Sequence, residues 1–138
     1  MADKQLIYCS ENNITSIKDI VAMAHRAGEF NKTKNITGAL FFSFKFFIQL
    51  LEGDISEVDS LYGRIVKDTR HENIKLIYDQ EVGQRFFPAW SMQEVTEKDI
   101  DFESLNGFFP DSVFDPYSLS SDQALQFFRD CVAYKESA

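Results

Sequence analysis

Cysteine, histidine and tryptophan are scarce in this 138-residue chain, with two, two and one copies respectively. Two cysteines, Cys9 and Cys131, cannot build a disulfide framework, so a reducing cytoplasm is the expected compartment. His25 and His71 fall in different helical regions, which leaves a histidine-rich metal site without ligands; no metal is expected. There is no Gly-x-Gly-x-x-Gly, no P-loop lysine motif, no Gly-x-Ser-x-Gly elbow and no CxxC pair. A generic enzyme reading therefore starts weak. Basic charge is also short: 14 Lys and Arg against 22 Asp and Glu, a net charge of −8. The one basic cluster, Lys32 and Lys34, is too small for a phosphate-binding face, which argues against nucleic acid. No stretch approaches the roughly 18 apolar residues of a spanning helix, and Met-Ala-Asp-Lys-Gln carries no signal-peptide pattern, so no membrane is expected. Internal repeats and low-complexity tracts are missing too.

Phenylalanine is abundant, with 14 copies in a chain that is 44% hydrophobic and 26% charged. That length and balance fit one globular domain with a real core. So many rings suit a dense aromatic core, the commoner use, or a pocket for a flat ligand. Gln5–Ser10 reads as a first strand, broken by polar Glu11-Asn12-Asn13. Ile17, Ile20, Val21 and Ala24 recur at helical spacing and predict an amphipathic helix over 16–30, with Ser16 as cap and Asp19 three residues on. The apolar runs 36–43 and 46–51 read as a hairpin. A second helix starts from Asp54, with Asp54 and Glu57 resembling a capping box and a stripe of Ile55, Val58, Leu61, Tyr62, Ile65 and Val66. Runs 73–81 and 88–95 read as two more strands. The order β-α-β-β-α-β-β predicts an α+β, ferredoxin-like sandwich with helices on one face of a mainly antiparallel sheet. Beyond residue 96 the chain turns polar and turn-rich. A last amphipathic helix follows at 121–134, with Ser120 as cap and Gln123 three residues later.

Polar residues in apolar surroundings carry the chemistry. Gln49 lies in Phe46-Phe47-Ile48-Gln49-Leu50-Leu51, where period-2 alternation makes both faces apolar. The strand is then central and the amide buried, and a buried amide must satisfy two donors and a carbonyl. Neighbouring backbone is its commonest partner. Tyr8 on the first strand is ordinarily core with its hydroxyl satisfied, Asn31 ordinarily a helix C-cap, and the pair Trp90 and Met92 ordinarily core.

Taken together these residues resemble the BLUF family (blue-light sensing using flavin) over roughly residues 5–94. The carrying segments are Leu6-Ile7-Tyr8-Cys9-Ser10, Asn31 with Asn35-Ile36-Thr37-Gly38-Ala39-Leu40, and Phe47-Ile48-Gln49-Leu50-Leu51-Glu52-Gly53, followed by Asp68-Thr69-Arg70-His71 and Trp90-Ser91-Met92. The resemblance implies a flavin, FAD first with FMN or riboflavin as alternatives, whose ring slots between the two helices. It implies that Tyr8 donates an electron and a proton to the excited flavin, with Gln49 between them and hydrogen-bonded to both. Asn31 would hold the polar edge of the ring, and Arg64, Asp68 and His71 would lie near the ribityl tail. Trp90 and Met92 would sit on the last strand beside Gln49 and carry the change outward. Phe30 departs from the family pattern, where a polar side chain is frequent before the asparagine.

This implies a photoreceptor domain over 1–95 and a C-terminal helical cap or output extension over 96–138. Roughly 40 residues are too few for a cyclase or phosphodiesterase domain. The stripe Ala124, Leu125, Phe128, Cys131 and Val132 is expected to dock on the sheet or a second subunit. A separate downstream protein and a homo-oligomer are the expected partners. A flavin-dependent redox enzyme and a cofactor-free interaction domain are the rival readings.

Overall fold

The computed structural model describes residues 3–12, 16–42, 45–85, 93–95 and 115–137, with backbone alone at 12, 17, 93–95 and 131–137. Strand β1 spans Asp3–Asn12, helix α1 Ile17–Thr33, strand β2 Thr37–Phe42 and strand β3 Phe46–Asp54. Helix α2 spans Ile55–Val66, strand β4 His71–Val82 and strand β5 Gln93–Val95. A 3-10 turn at Pro116–Ser118 leads into helix α3, Ser121–Ser137. The sheet order is β4-β1-β3-β2-β5, antiparallel except where β5 runs parallel to β2. No helix among the described residues is long and apolar enough to cross a membrane.

The N-caps behave as the sequence indicates. Ser16 Oγ accepts from Asp19 N, and Asp54 Oδ1 accepts from Ser56 N and Glu57 N. Ser120 and Gln123 form a reciprocal box: Gln123 N donates to Ser120 Oγ, and Ser120 N donates to Gln123 Oε1. Boundaries move where tertiary pairing extends an element. Glu11 and Asn12 stay in β1 because Phe46 and His71 lie opposite them. His71 accordingly opens β4 and does not belong to a helical region. Helix α1 passes through Asn31, so that residue is not its C-cap; Lys34 is, and Asn35 takes the left-handed conformation beyond it at φ 54°. Of the strand expected over 88–95, only 93–95 is described, and Trp90 and Met92 lie outside the described residues.

Alternation along the strands sorts the core into two sides. Leu6 and Tyr8 of β1, Leu40 and Phe42 of β2, and Phe47 and Leu51 of β3 pack under α1 and α2. Ile7, Cys9, Ala39, Phe41, Ile48 and Leu50 point the other way, against Leu119, Ala124, Phe127 and Phe128. Helices therefore cover both faces: α1 and α2 lie on the one expected to be covered, and α3 lies on the other, its Ala124, Leu125 and Phe128 taking the sheet as one of the two berths expected for that stripe. Phe41 and Phe127 meet edge to face at 5.3 Å, in the preferred geometry for aromatic rings.

Candidate functional site

The site grows from one cross-strand row. Tyr8 of β1 lies opposite Gln49 of β3, which lies opposite Leu40 of β2. All three side chains are buried and share the face under α1 and α2. Tyr8 O–H donates to Gln49 Oε1. Burial pushes the Tyr8 hydroxyl far above the ordinary tyrosine range, so the phenol is neutral and keeps its proton for that bond. The amide accepts the phenol at its oxygen and retains Nε2 as its donor end.

Above this row lies a cavity of about 310 Å³ between α1 and α2. Its floor is Tyr8, Leu40 and Gln49. Helix α1 contributes Met23, Ala24, Ala27, Phe30 and Asn31, and α2 contributes Leu61, Arg64 and Ile65. Asp68, Arg70, His71 and Arg26 complete it. The walls are mostly apolar, with a few convergent polar groups, as ligand sites generally are. Asn31 brings a buried side-chain amide to this wall, while its backbone carbonyl receives Lys34 N and Ile36 N. An amide beside a cavity can offer both an acceptor and a donor to a bound molecule.

The far end is charged. The Arg70 guanidinium donates to both Asp68 carboxylate oxygens and holds that carboxyl down at about 2. Arg64 stacks over the Phe30 ring at 4.5 Å, a cation–π contact that bridges α1 and α2 beside the cavity. Arg26, Arg64 and Arg70 thus gather three fixed positive charges at one cavity of a protein with net charge −8.

His71 reaches the site through an irregularity in β4. Between Cys9 and Glu11 on β1 the chain advances two residues, while β4 advances three, from Lys75 to Glu72. The extra residue is a β-bulge, with Asn73 at φ 52°. One inserted residue swaps the faces of the strand beyond it, so His71, opposite Asn12, shares the side of Tyr8 and Ser10. Ser10 Oγ and His71 Nδ1 are 2.8 Å apart, and the imidazole packs 6.0 Å from the Tyr8 ring and 5.1 Å from Phe47. Burial lowers the His71 pKa, against the opposing pull of Asp68. A neutral imidazole bonded to Ser10 through Nδ1 is the resting state.

Tyr8, Asn31, Gln49, Arg64, Asp68 and His71 therefore line one cavity, with Asp68 engaged by Arg70. Trp90 and Met92 lie outside the described residues. Arg26 and Arg70 also line the cavity and Ser10 bonds to its His71; none was named as a site residue from the sequence, although Ser10 and Arg70 lie in the segments that carry the resemblance. Ser10 carried a usable signal, since it alternates with Tyr8 on the same strand; Arg26 lies one helical turn before Phe30. No group of three or more potential metal ligands occurs among the described residues.

A family model described as "BLUF: Sensors of blue-light using FAD" matches residues 4–93. The chain is 32% identical over 139 residues to the "Blue light- and temperature-regulated antirepressor BluF" of Escherichia coli (strain K12), covering 96% of this chain and 34% of that protein. It is 30% identical over 94 residues to the photoactivated adenylate cyclase subunit alpha of Euglena gracilis, covering 66% of this chain and 9% of that protein. The chain thus spans about a third or less of these curated relatives. Among solved structures, BlsA in its photo-activated state aligns with a TM-score of 0.83 at 27% identity, covering 94% of each chain. BlrB, a BLUF protein in its dark state, aligns with a TM-score of 0.77 at 26% identity, covering 97% of each.

Proposed function

The chain belongs to the BLUF family of blue-light sensors using flavin, and on that premise we propose that its photoswitch is the Tyr8–Gln49 pair. One observation carries the reading: the Tyr8 hydroxyl donates to the Gln49 amide at the floor of the interhelical cavity. A bound flavin would supply the blue-light absorption and the electron acceptor. Tyr8 would supply the electron, and its proton would leave along the hydrogen bond it already makes to Gln49 Oε1. On return of the electron and proton, the amide is left turned over or tautomerised, exchanging donor for acceptor without a buried charge. A glutamate at position 49 would instead bring a desolvation cost of several kcal/mol. The Asn31 amide, on the cavity wall, suits the polar edge of the ring. The rings of Tyr62 and His71 pack around the buried Tyr8 phenol.

FAD is the proposed flavin. Arg26, Arg64 and Arg70 offer more positive charge than a neutral sugar-alcohol tail needs, and they suit a pyrophosphate. Arg70 binds Asp68, so it would be shared between that carboxylate and the ligand. The proposed output is a change in α3 or in the last strand, with Trp90 and Met92, read by a separate protein rather than by a catalytic domain. The buried free thiol of Cys9 suits the reducing cytoplasm, the proposed compartment.

The test is an absorption spectrum of the purified protein in the dark, under blue light and after dark recovery. A flavin band that shifts slightly red and reverts is expected, and Tyr8→Phe or Gln49→Leu should abolish the shift while flavin remains bound. A band that bleaches to reduced flavin would point instead to redox catalysis.

A further inference from the structure

The same bulge that turns His71 toward the cavity also creates an open place in the β1–β4 ladder, and a residue from the other side of the sheet fills it. Tyr117, in the 3-10 turn before α3, donates its hydroxyl to Asn73 O at 2.6 Å. Glu11, at the β1 end of the same gap, lies within electrostatic reach of the Tyr117 hydroxyl. The ring packs on Phe46 at 5.8 Å, on the side of the sheet that α3 covers. Two further ties fasten this segment to β4: Lys75 Nζ donates to Tyr117 O at 3.1 Å, and Ser121 Oγ donates to Ile77 O at 2.8 Å. Asn73 holds a left-handed backbone that few side chains accept, and asparagine is among those that do.

Resting on the flavin reading above, we propose that Tyr117 is a positioning residue that couples the photosite to α3 through the Asn73 bulge. His71 and Tyr117 stand on opposite faces of the sheet, and Asn73 lies two residues from the first and in hydrogen-bond contact with the second. A rearrangement of Tyr8 and Gln49 shifts the imidazole that packs beside Tyr8 and is bonded to Ser10. His71 opens the strand segment that the bulge re-aims, and the bulge carbonyl is what the Tyr117 hydroxyl holds. Bulges re-aim side chains near functional sites and are the points where a strand bends most readily. The joint therefore lies on β4, at the sheet edge opposite β5.

Tyr117→Phe removes only the hydroxyl. In the full chain loaded with flavin, hydrogen exchange is measured in darkness and under steady blue light for peptides covering 71–75 and 121–130. The wild type is expected to change at both peptides. In Tyr117→Phe the red shift keeps its amplitude, the light-minus-dark difference at 121–130 disappears, and dark recovery changes about threefold, the scale of one neutral hydrogen bond. Asn73→Gly keeps both the carbonyl and the left-handed backbone, so its exchange difference stays wild-type. An unaltered difference at 121–130 in Tyr117→Phe overturns the coupling, whatever happens to recovery. The wild type supplies a check free of any folding defect: a light response at 121–130 with none at 71–75 overturns it as well. Loss of the red shift in the wild type would instead refute the flavin reading itself, and the coupling with it.

Discussion

His71 shows how a single side chain links the site to stability. Its folded pKa lies below the ordinary value of 6.5 because burial penalises the imidazolium. Between that folded value and 6.5 the unfolded chain binds more protons than the native one, so stability rises with pH there. The contribution is complete above 6.5 and is lost as the pH falls below it. The expected outcome is that the melting temperature of the wild type drops between pH ~7 and ~5.5 by more than that of His71→Gln. Equal drops would mean that another group titrates. At this same scale the sequence was informative about residue type and poor about position. A tyrosine, a glutamine and an asparagine in apolar surroundings marked Tyr8, Gln49 and Asn31, and the first two do meet. That His71 faces Tyr8 was not legible, because the face of a strand residue after a bulge depends on the partner strand's register. Arg70 was equally hidden: its pairing with Asp68 is a local turn contact that periodicity does not register.

Elements obey the same division between local and tertiary causes. Helical stripes and N-caps were legible because both depend on residues three and four apart, whereas the C-cap of α1 fell at Lys34 and not at Asn31. Strand ends were less so: β3 continues to Asp54 and β1 to Asn12 because neighbouring strands pair with those residues. The glycines make the contrast testable. A Cβ on Gly38 of β2 would stand 1.9 Å from Leu50 O of β3, a backbone atom that cannot retreat without opening the hairpin. Gly63, exposed in α2, would meet nothing within 4 Å. Gly38→Ala is expected to destabilise by about 3 kcal/mol or more, the upper end of overpacking costs. Gly63→Ala should stabilise by about 0.5–1 kcal/mol, since alanine loses less conformational freedom in a helix. Urea denaturation of both variants gives the two signs, and a common sign would refute the packing argument.

The molecule as a whole is three layers, and the third decides whether the other two can stand alone. Ile7, Phe41, Ile48 and Leu50 form the sheet face turned away from the cavity, and Leu119, Ala124, Phe127 and Phe128 cover it. The sequence stripe on the last helix named Ala124, Leu125, Phe128, Cys131 and Val132, the last two with side chains outside the described ones; Phe127 joins them because the helix inserts two adjacent rings, which meet at 5.4 Å. Fully burying one large apolar side chain is worth about 1.5–3 kcal/mol. Four on the sheet alone therefore approach the roughly 5–15 kcal/mol net stability of a domain. A fragment ending at residue 95 would expose that face, and the expected result is association on size exclusion together with loss of a cooperative urea transition. Phe127→Ala is the graded form of the same test. It should keep the wild-type elution on size exclusion and the urea slope, and lose about 3–5 kcal/mol. If the fragment keeps the oligomeric state and the urea midpoint of the full chain, α3 is a passenger on the sheet, and any light-driven change in its packing would leave the stability of the sensor untouched.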